Sequence, residues 1–202
     1  MIKTVVFDLS GVIWKRRSFN QTFFDLLSQT VNLHPKTVRS KYNHVVSLFQ
    51  LGKLELDYWL KTQFKLDKPT VETFNFNLKK IFKSHYQSNF YPKALPLIRL
   101  LQTNGYTLGC LTNSENFLVE LFTKAGLFCH FDYKVASSIV GYKKPNQKIF
   151  KQIFKIGNWK PDQVLFIDNQ KSNLTAAQKL GINTIQFRSY KALAPKLDKI
   201  LF

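Results

Sequence analysis

Two carboxylates, a hydroxyl and an ammonium recur at comparable places along this 202-residue chain. Asp8 closes the apolar run in VVFDLSGVI, Thr112 closes YTLGCLT, Asp168 closes QVLFID, and Lys144 follows FDYKVAS within GYKKPNQKIF. A carboxylate attacks an anionic group only when nearby cations screen the repulsion, so a lysine beside Asp8 would be a meaningful companion. Each residue also has a plain reading. Asp8 can cap a turn, Thr112 can simply end a strand, Lys144 competes with Lys143 for any role, and Asp168 can cap the helix that follows.

The elements that must position these residues are legible from periodicity. Residues 2–8 form a short β-branched and aromatic run, as expected of a buried parallel strand. Between residues 18 and 88, SFNQTFFDLLSQTV, PKTVRSKYNHVVSLFQL, KLELDYWLKTQF and PTVETFNFNLKKIFKSHY carry helical spacing, with Pro35 and Pro69 suited to first turns. About four helices are expected there. Beyond YPKA the chain alternates: a helix over 95–103 stopped by Asn104-Gly105, the strand YTLGCLT, a helix ended by Gly126, the strand FDYKVAS, and the helix NQKIFKQIFKIG. The strand QVLFID, the helix NLTAAQKLG, the strand INTIQF and the closing helix YKALAPKLDKILF complete it. Such alternation predicts a parallel sheet covered on both faces.

The first strand is too short to fold alone and must join the later ones, which makes the helical block an insertion. The expected division is a core of residues 1–14 and 89–202 with a helical cap over 15–88. Ligands of open parallel sheets sit beyond the carboxyl ends of the strands, where strand order reverses. Asp8, Thr112, Lys144 and Asp168 all fall at or just past such ends.

Composition bounds the rest. A 45% hydrophobic, 15% aromatic chain of this length fills a sizeable core, which argues against disorder. Thirty Lys and Arg against twelve Asp and Glu leave a net charge of +18, favouring anionic partners. The basic residues are scattered, without the clustered stripe that nucleic-acid binding shows, so nucleic acid is not the expected partner. Cys110 and Cys129 lack metal-ligand spacing and read as reduced thiols. With no leader-like or membrane-length apolar segment, a cytoplasmic protein is expected.

FDLSGV, LTNS at 111–114, GYKKPNQKIF at 141–150 and VLFIDNQKSNLTAAQKLG at 164–181 resemble, in order and spacing, the four motifs of the haloacid dehalogenase (HAD) superfamily. The resemblance covers residues 1–13 and about 92–188. It implies an α/β fold, a three-layer Rossmann-like parallel sheet core with an inserted helical-bundle cap, and an Mg²⁺-dependent phosphatase of a small phosphorylated metabolite. Asp8 would take the phosphoryl group as an aspartyl phosphate. Thr112, Asn113 and Lys144 would hold the phosphate, and Mg²⁺ would bind Asp8, Asp168, Asn169 and the backbone carbonyl of Ser10. Asn173 would fix the fourth motif's loop.

The chain departs from the family pattern twice. Ser10 stands where a second aspartate usually protonates the leaving oxygen, a function generally worth roughly 10²- to 10⁴-fold. Asn169 stands where a second acid commonly follows Asp168. The departures leave two other expectations open: a catalytically impaired binding or regulatory protein, and a metal-independent dehalogenase. In the cap, Lys15, Arg16 and Arg17 could attract an anionic substrate, and His44, Tyr58 and Trp59 could line its pocket or serve as ordinary linker and core.

Overall fold

A computed structural model describes residues 1–201; Phe202, the last residue of the expected closing helix, lies outside the described residues. Five parallel strands, β1 (Thr4–Phe7), β2 (Thr107–Thr112), β3 (Tyr133–Ala136), β4 (Val164–Asp168) and β5 (Asn183–Gln186), form one sheet in the order β3-β2-β1-β4-β5. The chain winds outward from β1 through β2 to β3, then crosses back to lay β4 on the other side of β1. The reversal therefore falls between β1 and β4, directly beyond which Asp8 and Asp168 lie.

Register explains why these groups meet. Phe7 pairs with Cys110 on β2 and with Ile167 on β4, and the Asp8 N–H continues the ladder by donating to the Ile167 carbonyl at 2.8 Å. One step further along each strand brings Asp8, Leu111 and Asp168 level at a single edge, with Thr112, the end of β2, one residue beyond. A shift by one residue would send these side chains to the wrong face of the sheet.

Alternation along the strands splits the interior into two apolar layers. Val6, Leu111, Val164 and Phe166 face one way, against α8 (Gln147–Gly157) and α9 (Lys171–Gln178) through Ile149, Phe150, Ile153 and Ala177. Val5, Phe7, Leu108, Cys110, Leu165 and Ile167 face the other way, against α5 (Ala94–Thr103), α6 (Asn116–Lys124) and α10 (Tyr190–Leu201). Helices thus cover both faces, the arrangement that an all-parallel sheet requires.

The inserted segment comprises α1 (Arg16–Val31), α2 (Pro35–Gln50), α3 (Leu56–Phe64) and α4 (Lys68–Tyr86). His34 and Asp67 cap α2 and α4 through their side chains, with Pro35 and Pro69 in the first turns. These helices do not form a separate core. Their buried Phe19, Phe23, Tyr42, Phe74 and Phe82 belong to the same apolar cluster as Phe7 and Leu108 of the sheet. Trp14 joins the two parts: it is fully buried, meets the Phe122 ring edge-on at 5.0 Å, and donates its indole N–H to the Tyr86 carbonyl at 3.0 Å. Phe23 of α1 stacks on Phe117 of α6 at 5.7 Å.

Local signals placed the helices well and their ends less well. The helix that follows β2 begins only at Asn116, leaving Asn113, Ser114 and Glu115 in a connecting turn. The helix expected from residue 173 begins at Lys171, whereas α8 ends at Gly157 as expected, with left-handed Asn158 as its cap. A short helix, α7 (Ser137–Val140), precedes the loop that carries Lys144.

Candidate active site

Lys144 is the centre of the cluster at the strand edge. Its ammonium donates to Asp8 Oδ1 at 2.6 Å, to Asp168 Oδ2 at 2.8 Å and to the Leu111 carbonyl at 2.8 Å. All three donors of a lysine are thereby used. The Lys144 side chain is 2% exposed, Asp8 8% and Asp168 0%, so water screens these ion pairs poorly. Burial on its own would lower the Lys144 ammonium, but the charges of Asp8 and Asp168 hold it above the ordinary lysine value. Burial pushes the Asp8 carboxyl up to about 6, with Lys144 pulling against the rise and Asp168 adding to it.

The loops that aim Lys144 and Asp168 are themselves pinned. Asn113, just past β2, donates its amide to the Lys144 carbonyl at 2.9 Å and accepts the Lys144 N–H at 2.8 Å. Both side-chain groups of Asn113 therefore hold the lysine's backbone, which argues for positioning over the substrate contact that the motif implied. Asp168 accepts the Gln170 N–H on Oδ1 at 2.7 Å and the Asn173 amide on Oδ2 at 2.9 Å. Asn173 fixes the loop through that bond.

Two polar atoms around the cluster are buried without a hydrogen-bond partner: Thr112 Oγ1 and Asn169 Oδ1. Buried polar atoms are nearly always paired, and the exceptions gather where a ligand or ion completes the set. Gly11 makes room for Asn169. Its φ is +89°, and a Cβ there would run into the Asn169 amide nitrogen, so only glycine lets the first loop approach the fourth so closely. Ser10, part-exposed in the same loop, carries no carboxylate to the cluster. Among the described residues, no group of three or more His, Cys, Asp or Glu side chains is assembled for metal binding; the acidic donors here are Asp8 and Asp168.

A cavity of 470 Å³ opens over the cluster. Asp8, Ser10, Lys144 and Gln170 line its sheet side, and Arg16, Arg39, Tyr42, Asn43 and Gln50 line its helical side. Only Arg16 of the three basic residues 15–17 reaches this wall. Arg17 is exposed, and Lys15 lies over the Tyr91 ring at 5.3 Å. None of the three suggested pocket residues of the insertion lines the cavity. His44 is exposed on the outer surface, Tyr58 is 63% exposed, and Trp59 is 3% exposed among Tyr42, Phe49 and Phe64. Helical periodicity marks faces of a helix but does not say which face meets the sheet.

One group escaped the motif reading altogether. Glu115, fully buried between Thr112 and α6, accepts Arg16 Nη2 at 2.7 Å and the Tyr42 hydroxyl at 2.8 Å on the same oxygen. The ion pair ties α1 to the turn after β2. Burial works against the Arg16 charge, but Glu115 outweighs it and holds the guanidinium above its ordinary value. Burial, and then the Glu115 charge, hold the Tyr42 hydroxyl well above its own. The available signal was an acid directly after LTNS in a chain with only twelve acids.

Known proteins share this architecture. A crystal structure of a HAD family enzyme from Bacteroides thetaiotaomicron, an aspartate-to-alanine mutant in complex with magnesium and inorganic phosphate, superposes with a TM-score of 0.71 at 18% identity, covering 96% of this chain and 99% of that one. The phosphoglycolate phosphatase of Aliivibrio fischeri is 23% identical over 190 residues, 91% of this chain and 82% of that protein. Bifunctional epoxide hydrolase 2 of Rattus norvegicus is 28% identical over 134 residues, 62% of this chain but 24% of the rat protein, so the chain spans about a quarter of that relative's length. The family model for haloacid dehalogenase-like hydrolases matches residues 2–181, and with the motif cluster gathered at one sheet edge the chain belongs to the haloacid dehalogenase-like hydrolase family.

Proposed function

We infer that this protein is a phosphatase of a small phosphorylated metabolite, working through an aspartyl phosphate on Asp8 with Mg²⁺ as cofactor. The observation that carries this reading is the Asp8–Lys144–Asp168 cluster beneath a 470 Å³ cavity at the point where strand order reverses. The magnesium and phosphate complex of the Bacteroides enzyme and the activity named for the Aliivibrio relative support it.

The donors present fit Mg²⁺. The ion is a hard acceptor that takes one or two carboxylates, keeps several waters and leaves room for phosphate oxygens. Asp8, Asp168, the unpartnered Asn169 Oδ1 and, by the motif, the Ser10 backbone carbonyl would hold it through an all-oxygen set of that kind. Bound there, Mg²⁺ would offset negative charge on the nucleophile and on the phosphoryl oxygens.

The chain's own groups do the remaining work. Lys144 holds Asp8 Oδ1, which leaves the other carboxylate oxygen to attack phosphorus. The P–O bond to the leaving group breaks as the Asp8–P bond forms. The Thr112 hydroxyl, buried at the end of β2 outside the cavity lining and without a partner of its own, would bond a phosphoryl oxygen that reaches the strand edge, and Lys144 would offset the charge there. Water then cleaves the Asp8–P bond and releases phosphate. Proton delivery to the leaving oxygen falls to water, because Ser10 cannot exchange protons near neutrality. The enzyme should therefore favour esters whose leaving group needs no proton.

One observation favours a second reading, a binding protein that keeps the fold without turnover: both oxygens of Asp168 are already engaged by Lys144, Asn173 and Gln170. A phosphate-release assay separates the two. Release from p-nitrophenyl phosphate that requires Mg²⁺ and disappears in Asp8→Asn supports the phosphatase. Its absence on every ester tested selects the binding protein.

A further inference from the structure

The cationic groups around the cavity differ in what they already hold. Lys144 is matched by two carboxylates, and Arg16 is matched by Glu115 with a further bond from its Nε to Asn20 at 3.0 Å. Arg39 of α2 is different. Among the described residues it forms no ion pair with any carboxylate; its guanidinium lies over the Phe24 ring at 4.4 Å, and one nitrogen reaches the Gln21 amide oxygen at 3.3 Å.

That packing prepares the group for a ligand. A guanidinium carries five N–H donors in one plane, and stacking on Phe24 fixes the plane while leaving its edge open. Arg39, Asn43 and Gln50 stand at helical spacing on the face of α2 that borders the cavity, opposite the strand edge with Asp8 and Lys144. Arg39 and Asn43 also border an adjoining outer hollow together with Lys36 and His44, so the approach to the cavity is basic as well.

We propose that Arg39 is a specificity-determining residue that grips a second anionic group on the substrate, so that the substrate class is a small phosphate ester whose leaving group carries a carboxylate or a further phosphate. This rests on the phosphatase reading of the same site. A planar guanidinium binds either anion through paired N–H donors, which a neutral hydroxyl cannot match. The amides of Asn43 and Gln50 beside it suit polar groups between the two anions. An uncharged apolar leaving group would leave the arginine desolvated with nothing to hold.

The test compares two esters that differ only at the far end: phosphoglycolate, which ends in a carboxylate, and 2-hydroxyethyl phosphate, which ends in a hydroxyl. The wild-type protein should show kcat/KM for phosphoglycolate about ten- to hundredfold higher, the range of a charge-assisted hydrogen-bond pair. In Arg39→Gln the ratio should collapse to about threefold or less, through a raised KM for phosphoglycolate. A wild-type ratio near one, or a ratio that survives in Arg39→Gln, overturns the proposal. The wild-type ratio needs no variant to fold. Calorimetry of both esters on the Asp8→Asn protein gives the same ratio without turnover. If no ester gives Asp8-dependent release, the phosphatase reading falls, and the calorimetric ratio by itself upholds or overturns the role of Arg39.

Discussion

Replacing Lys144 by Met tests the central cluster most directly. The substitution keeps an unbranched chain of similar length but removes the one cation between Asp8 and Asp168, which it contacts at 2.6 and 2.8 Å. Breaking a buried pair by removing one partner typically costs about 3–5 kcal/mol, since a charge stays behind unpaired. Here two carboxylates are left facing each other, so a loss of about 4 kcal/mol is expected at pH 8, a large part of a total stability of roughly 5–15 kcal/mol. The loss should depend on pH in a fixed direction. Without the lysine, burial and the facing Asp168 charge raise the Asp8 carboxyl unopposed, so the folded variant binds a proton there more tightly than the unfolded chain. Protonation then relieves the repulsion as the pH falls, and the deficit should shrink to less than about 2 kcal/mol near pH 5. Urea unfolding in chelator, followed by tryptophan fluorescence at both pH values, measures it; Trp14 lies in the shared core and reports on both parts of the fold. Adding Asp8→Asn to the variant should recover at least about 1 kcal/mol at pH 8, because one of the two facing charges is gone. A loss below about 1 kcal/mol, or an equal loss at both pH values, would refute the account of Lys144 as the charge that holds the site together.

Other outcomes follow from the same geometry. Asp8 has its folded pKa raised from 3.8 to about 6, so its contribution is fully present below the unfolded value and lost as pH rises through about 6. Without metal, Asp8→Asn should therefore gain stability relative to the parent between pH 4 and 7, by about 3 kcal/mol if the whole shift is realised; paired melts that show the reverse trend would contradict it. Ser10→Asp should raise turnover on alkyl phosphates by up to roughly 10²-fold while changing p-nitrophenyl phosphate hydrolysis far less, since only the poor leaving group needs a proton; equal effects on both would place the limitation elsewhere. Arg16→Met strands the fully buried Glu115 and should cost about 3–5 kcal/mol in a denaturant titration, much of it restored by adding Glu115→Gln.

The amino-acid order alone determined the elements and the identity of the central cluster. Alternating apolar runs and helical periodicities are short-range patterns, so the five parallel strands and the helical insertion could be read directly, and with them the strand ends that carry Asp8, Thr112 and Asp168. What the tertiary structure decided was which side chains face one another. Sequence placed Lys144 in a loop beside Lys143, but its contact with two carboxylates and the Leu111 carbonyl depends on strand register and on the Asn113 clamp from a loop 31 residues away. Helical spacing left Trp59 open between pocket and core, and packing makes it core, while Arg39 and Tyr42, which spacing marks only as helix positions, border the cavity. Glu115 found its partners on two helices 73 and 99 residues earlier in the chain. Those pairings depend on how the insertion docks against the sheet, and docking is decided by long-range packing of Trp14, Phe23 and Phe122, which no local pattern encodes.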